Sequence, residues 1–322
     1  MPVRFGIVGL GIISTRFAKV LNTVDGVELS AVASRDLQRT QVFARKFKAK
    51  KALPSYMDVI KDSDVDVVYC GLTHNFHYDI VKQCLELRKP VLCEKPLVTT
   101  QKQAAELFAL AQENHTLLME ALWTRCMPAY QKTQQWVRSG KIGKVKLITA
   151  SFCHQVAYDP NHRLFSKETA GGSLFDLGIY PIDFATGIMG EPPESVTGTA
   201  LLAPNGVDES AAFSMKFKSG SLASLTCGFS VTTKEEAVIY GTQGSIVLDN
   251  CFGPQTCKRC DENGKTLETF REKVSDGFVY EIRHCAELVR QGKIESDLIP
   301  WRDTLVSAGI FDTLVDQWEI RN

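Results

Sequence analysis

Long apolar runs are missing from this 322-residue chain. None approaches the roughly eighteen residues of a membrane-spanning helix, so no membrane association is expected. A charge excess is missing too: Lys+Arg and Asp+Glu both number 37. Nucleic acids and anionic membrane surfaces select a basic face, and neither is an expected partner. The amino terminus enters a strand with no signal-peptide pattern, and a cytoplasmic location is expected. His-x-x-x-His spacings and paired carboxylate clusters are absent, so no metal is expected. There is no internal repeat, low-complexity stretch or disordered linker.

What the chain does have is an ordinary globular composition, 44% hydrophobic and 23% charged, long enough for two domains. Its ten cysteines do not form a disulfide framework. Cys70 and Cys93 end apolar strands, Cys84 and Cys285 sit on helices and Cys227 on a strand, where free cysteine acts as a small hydrophobe. Cys257-Lys258-Arg259-Cys260, with Cys251 nearby, has no fourth ligand at finger-like spacing. It reads as an incidental pair on an exposed hairpin.

Over the first 120 or so residues, short apolar runs alternate with amphipathic stretches, the βαβ rhythm of a helix-covered parallel sheet. Strands are expected at Val3–Val8, Val27–Ala33, Val65–Cys70, Pro90–Cys93 and Leu117–Met119. Helices are expected at Ile13–Leu21, Leu37–Phe47, His77–Leu87 and Gln101–Glu113. After a helix from Pro128 to about Ser139 the rhythm changes to hairpin spacing, with strands from Val145 to Leu248 and turns at Lys218-Ser219-Gly220 and Thr242-Gln243-Gly244. Strands joined by short turns are antiparallel. Three more helices are expected at 171–187, 278–291 and 302–318. The expected fold class is α/β: a doubly wound Rossmann sheet over residues 1–121, then an α+β domain over 122–322 with a large open, mostly antiparallel sheet.

Gly6-Ile7-Val8-Gly9-Leu10-Gly11-Ile12-Ile13-Ser14 follows a strand and opens a helix, the context in which a glycine-rich turn binds a dinucleotide. Gly9 permits the turn and Gly11 lets the backbone approach a pyrophosphate. Ile12 and Ile13 open a helix whose N–H groups face the phosphates, and Ser14 stands in for the third glycine. At the end of the second strand an NAD site would carry an acid. Here Ala33-Ser34-Arg35, with Arg39 one turn on, suits a ribose 2′-phosphate, and NADP is the expected cofactor. Asp36 reads as an early-helix acid.

Three further segments follow in order: Thr73-His74-Asn75-Phe76-His77, Glu94-Lys95-Pro96 and Asp176-Leu177-Gly178-Ile179-Tyr180. With the glycine turn, they give the chain a resemblance to the glucose–fructose oxidoreductase/inositol dehydrogenase superfamily (Gfo/Idh/MocA) over essentially its whole length. Met119-Glu120-Ala121-Leu122-Trp123-Thr124-Arg125 and Tyr180 resemble its dimeric dihydrodiol dehydrogenase branch. In most of the superfamily a histidine stands where this chain has Tyr180.

The resemblance implies hydride transfer with an accompanying proton transfer. Tyr180 would be the general acid/base. Lys95 would orient the substrate oxygen and, as a nearby cation, lower the tyrosine pKa from its ordinary value near 10. Asp176, one helical turn before Tyr180, would bond the substrate or hold Lys95. Thr73, Asn75 and His77 would cradle the nicotinamide ribose beside Glu94 and Lys95. Trp123 and Arg125 would border nicotinamide and substrate, with Phe152 and His154 as further pocket candidates.

The implied substrates are small molecules: trans-dihydrodiols of aromatic hydrocarbons and aldopyranoses such as D-xylose. An NADPH-dependent reductase of sugar ketones or lactones, and a non-catalytic NADP-binding regulator, are the alternatives. An open sheet needs cover on its free face. Ala223, Leu225 and Cys227 are expected to supply an apolar surface through which two chains form a homodimer.

Overall fold

The computed structural model describes residues 1–320. The chain runs β1 (Val3–Val8), α1 (Ile12–Leu21), β2 (Val27–Ala33), α2 (Leu37–Phe47), β3 (Lys51–Leu53), α3 (Tyr56–Lys61), β4 (Val67–Cys70), α4 (His74–Glu86), β5 (Val91–Glu94), α5 (Gln101–Glu113) and β6 (Leu118–Ala121). It continues through α6 (Trp123–Cys126), α7 (Pro128–Arg138), β7 (Val145–Cys153), α8 (Ile179–Met189), β8 (Pro193–Leu202), β9 (Asp208–Phe217), β10 (Leu222–Gly228), β11 (Ala237–Gly241) and β12 (Gly244–Leu248). The last elements are β13 (Thr256–Cys260), β14 (Thr266–Arg271), α9 (Phe278–Gln291) and α10 (Trp301–Gln317). A π-helical turn, Leu174–Gly178, leads directly into α8. Two compact units result. One comprises Met1–Val98, Lys102–Leu122 and Phe278–Thr304; the other comprises Thr99–Gln101, Trp123–Gly277 and Leu305 onward.

The first unit is a six-stranded parallel sheet in the order β3-β2-β1-β4-β5-β6. Both faces are covered, so its strands are apolar without alternation: β4, β5 and β6 are buried at every residue. Phe17 of α1 stacks on Tyr69 of β4 at 3.6 Å between centroids. Phe278 brings α9 onto the same ring, 6.3 Å from Phe17. Winding reverses between β1 and β4, and in such sheets ligands bind above the strand ends at that reversal. The expectations missed β3 and α3, of three and six residues, which are too short to carry a period.

The second unit is an eight-stranded sheet in the order β14-β13-β12-β11-β7-β10-β9-β8. Its pairings are antiparallel except β10 with β7, which lie far apart in sequence and run parallel. Along β9, Phe213, Met215 and Phe217 turn inward and Ala212, Ser214 and Lys216 outward, the alternation of a sheet covered on one face. Helix α8 is buried from Ile179 to Ile188, which explains its nearly all-apolar sequence.

Two expectations are corrected here. Ala223, Leu225 and Cys227 are at most 1% exposed within the single chain. A side chain added at Gly178 would meet the Cys227 sulfur at 3.0 Å, so this face lies under the π turn. The open face of β10 carries Leu222, Ser224 and Thr226, in register with Leu147, Thr149 and Ser151 of β7. Cys257 and Cys260 are also buried, at 0% and 5%; Cys257 packs on α7 and shares a hydrogen bond with Thr133. Strands β13 and β14 were missed because their sequences, TCKRC and TLETFR, are too polar to read as strands.

Arg125 and Asp183 link α6 to α8. Both are at most 3% exposed, with Arg125 Nε and Nη2 donating to the carboxylate at 2.8 and 2.7 Å. Removing one partner of a buried pair costs about 3–5 kcal/mol, because the other charge stays in a low-dielectric interior. Asp183→Ala should therefore lower the unfolding free energy by about that amount. Urea denaturation with an unchanged midpoint would show the pair to be dispensable.

Candidate active site

The turn after β1 needs Gly9: its φ is +82°, and a Cβ there would come within 2.6 Å of the Leu72 side chain. Gly11, the N-cap of α1, has nothing within 4 Å of a built Cβ. Its helix start has no side-chain cap, leaving the first N–H groups for an anion. Ser14 is fully buried and donates to the Gly9 carbonyl at 2.5 Å. Gly71, at the end of β4, sits directly against its hydroxyl. Ile12 is 94% exposed at the mouth of the turn and Ile13 is half-buried. These residues fit a dinucleotide pyrophosphate.

After β2, Asp36 caps α2, accepting from the Gln38 and Arg39 amides at 2.8 and 3.1 Å. It is thereby committed to the helix. The Ser34 hydroxyl is held within its own turn, donating to the Asp36 carbonyl and meeting Thr40 Oγ1 at 2.9 Å. Arg35 is exposed. Arg39 reaches back to donate to the Leu10 carbonyl of the glycine turn at 2.5 Å. Both guanidinium charges act on the half-buried Tyr56 hydroxyl, whose pKa burial raises and the arginines pull down. The cationic groups at this strand end are thus Arg35 and Arg39, while Ser34 serves the loop.

The β5 end is held from below. Glu94 is 6% exposed and accepts from the Tyr69 hydroxyl at 2.6 Å and the Lys95 amide at 3.3 Å. Burial raises its carboxyl pKa, against the Tyr69 hydrogen bond and the Lys95 charge. Glu120 on β6 accepts from the Leu97 amide at 2.8 Å and the Thr304 hydroxyl at 2.6 Å. Lys95, between these anchors, is half-buried.

Thr73 precedes α4 and bonds the exposed Asn75 at 2.7 Å. His77 is fully buried, with Nδ1 2.9 Å from the Pro96 carbonyl and Nε2 3.1 Å from the Leu72 carbonyl. Burial first, and the Lys95 charge, push its pKa down. A neutral ring donates to one carbonyl at a time, and the ring ties the β4 turn to the Lys95 segment. Cys70, His77 and Cys93 bring three potential ligand atoms within 4.8 Å. Both imidazole nitrogens face carbonyl oxygens, and burial keeps the Cys93 thiol protonated.

In the second unit Tyr180, 8% exposed, stands in the first turn of α8. The Trp123 indole N–H approaches its hydroxyl at 3.4 Å. Phe152 and Phe252 lie edge-on to its ring at 5.5 and 5.8 Å and stack on each other at 4.3 Å. Asp176, in the π turn, accepts from both Arg163 Nη atoms at 3.2 Å. Arg125 belongs to the Asp183 pair described above. His154 is exposed. Sequence reasoning missed Phe252, Arg163, Tyr69 and Glu120. Only Glu120 had a signal, a charged residue inside an otherwise apolar strand.

A glycine-rich turn between the first strand and helix of a doubly wound parallel sheet is the frame of a dinucleotide-binding Rossmann domain. Residues 3–122 match the family model described as an oxidoreductase family with an NAD-binding Rossmann fold, and residues 130–247 match the GFO/IDH/MocA C-terminal domain. The chain belongs to the GFO/IDH/MocA family.

It is 34% identical to trans-1,2-dihydrobenzene-1,2-diol dehydrogenase of Xenopus tropicalis, over 98% of each chain. Against the Homo sapiens enzyme of that name it is 32% identical, over 97% of this chain and 96% of the other. Among solved structures, the 3-ketoreductase KijD10 of Actinomadura kijaniata with NADP and TDP-benzene superposes with a TM-score of 0.86 at 26% identity, over 98% of both chains. Levoglucosan dehydrogenase shares the fold, with a TM-score of 0.89 at 19% identity over 98% and 97%.

The Tyr69–Glu94 contact supplies a test. Tyr69→Phe takes a donor from a buried carboxylate and should cost about 1–3 kcal/mol of stability at neutral pH. Thermal unfolding identical to that of the parent chain would refute an anchoring role for this bond.

Proposed function

We propose that the protein is an NADP-dependent dehydrogenase of cyclic diols and aldopyranoses, trans-dihydrodiols and D-xylose among them. The observation that carries this reading is the Tyr180 hydroxyl ringed by Trp123, Phe152 and Phe252, with Asp176 one turn earlier. Aromatic walls suit a ring-shaped substrate, and a phenol within them suits proton transfer from its hydroxyl. The relatives named as dihydrodiol dehydrogenases support the substrate class. A ketoreductase neighbour crystallised with NADP supports the cofactor, as does a β2 end whose acid is spent as a helix cap.

When bound, the nicotinamide supplies the hydride acceptor or donor. The chain's own groups handle orientation and the proton. Tyr180, as phenolate, takes the substrate hydroxyl proton; in the reverse direction the phenol returns it. The Lys95 ammonium is assigned to the reacting oxygen, and Asp176 to a neighbouring hydroxyl. A lysine and a tyrosine are also the residue types replaced in solved variants of the ketoreductase. Glu94, Thr73 and Asn75 set the cofactor side, with Glu94 and His77 acting from beneath through the backbone.

Initial rates of NADPH formation with trans-benzene dihydrodiol and D-xylose test the reaction class, and NAD⁺ in parallel tests the cofactor. Tyr180→Phe should reduce turnover by roughly 100- to 10,000-fold, the span of general acid–base catalysis, with NADPH binding retained. Lys95→Met should behave alike. Near-parental turnover in Tyr180→Phe would sink the assignment.

We also propose that the chain is a homodimer through the open face of its eight-stranded sheet. Leu222 and Tyr240, 51% and 43% exposed, both lie in register with Leu147 of β7. They form an apolar centre flanked by Ser224, Thr149 and Lys216, suited to a two-fold contact. Sedimentation at micromolar concentration should show twice the 35.7 kDa chain mass. A monomer alone refutes it.

A further inference from the structure

Asp208 opens β9, is 3% exposed, and has no place in the roles assigned above. Its Oδ2 accepts from the Ser173 hydroxyl at 2.7 Å and the Leu174 amide at 2.6 Å. Those two residues begin the π turn that carries Asp176 and continues without a break to Tyr180. Gly172, just before them, has φ +110°, and a Cβ there would lie 2.1 Å from Asp208 Oδ1. The turn is thus shaped to let this carboxylate reach its first N–H groups.

We propose that Asp208 is a positioning residue for the reaction: by holding Ser173 and Leu174, its carboxylate sets where Asp176 and Tyr180 stand. This rests on the assignment of Asp176 and Tyr180 to catalysis. The helix start needs an acceptor because its leading N–H groups have no helical partner. An ionised acceptor bonds them more strongly than a neutral one.

Burial pushes the Asp208 carboxyl up to about 6 from its ordinary 3.8, against the hydrogen bonds from Ser173 and Leu174. The groups facing it are Ser173 Oγ and, on β10, the Cys227 thiol, which burial keeps protonated. Lys167, from the Lys167–Thr169 turn, lies against Gly206, two residues before Asp208. Between pH 3.8 and about 6 the folded chain holds a proton that the unfolded chain has released. The contribution of Asp208 to stability therefore falls as pH rises through that window. The ionised form at neutral pH is a cost to the fold, and the ordered turn is what it secures.

Steady-state rates from pH 5 to 9 on the full chain, with hydrogen exchange at the Leu174 amide, test the proposal. The parent chain should lose kcat as pH falls through about 6, with NADPH affinity unmoved. Asp208→Asn keeps one carbonyl acceptor but does not titrate, so that acid limb should vanish. Ser173→Ala removes a bond to the charged form and should move the limb to higher pH. Asp208→Ala should lower kcat at every pH, on the order of 100-fold, as misplaced catalytic groups do.

An acid limb unchanged in both Asp208→Asn and Ser173→Ala would overturn the proposal. So would Leu174 exchange, corrected for intrinsic rate, that is equally slow at pH 5 and 8. Absence of parental turnover on every substrate would defeat the catalytic reading instead. Leu174 exchange would then decide alone whether Asp208 holds the turn.

Discussion

A carboxylate inside an apolar sheet must be fully hydrogen-bonded or it destabilises the fold, and the first unit is arranged around two of them. Glu94 is met by the Tyr69 hydroxyl and the Lys95 amide, Glu120 by the Leu97 amide and the Thr304 hydroxyl. The two amide bonds fix the backbone at Lys95 itself and two residues beyond it, and the two hydroxyls hold the carboxylates that accept them. His77 adds a third tie between the Leu72 and Pro96 carbonyls. The strand end that presents the lysine is therefore rigid because its polar supports are buried, where a hydrogen bond left unmade is expensive.

The second unit follows the same logic with a different scaffold. Helix α8 is apolar nearly all round and sunk against the sheet, so its first turn cannot drift. The buried Arg125–Asp183 pair fixes α6 to it, and α6 begins at Trp123, whose indole reaches Tyr180. The π turn matters because π-helical insertions recur at functional sites, and here one places Asp176 just ahead of Tyr180. Arg163 then neutralises Asp176 from a loop that carries no pattern of its own.

The parts of the fold legible in the sequence were those where local period and tertiary role agree. Val3–Val8 and Val27–Ala33 read correctly because strands covered on both faces are predominantly apolar, here apart from Arg4, Glu28 and Ser30. Leu37–Phe47 read correctly because one face of α2 is buried. Lys51–Leu53, Thr256–Cys260 and Thr266–Arg271 were illegible: they are short or polar, and neighbouring strands make them strands. The open-face expectation failed at Ala223, Leu225 and Cys227 for a related reason. Alternation tells which residues share a face, but not which face the helices cover.

At the candidate site, spacing singled out the glycine turn, the Glu94-Lys95-Pro96 segment and the Asp176–Tyr180 pair, whose local settings are short-range features: a positive φ, a strand end, one helical turn. It did not separate contact from support. Ser34, His77 and Arg125 carry groups that suit a ligand, yet the folded chain spends them on a loop, two carbonyls and a buried ion pair. Nor did it reveal Phe252, Tyr69 or Asp208, whose partners lie between 25 and 100 residues away. The sequence by itself determined the two kinds of sheet, the dinucleotide turn and the family. Only the tertiary structure decided which polar side chains stay available and which are consumed, because burial and hydrogen-bond satisfaction are properties of what packs together.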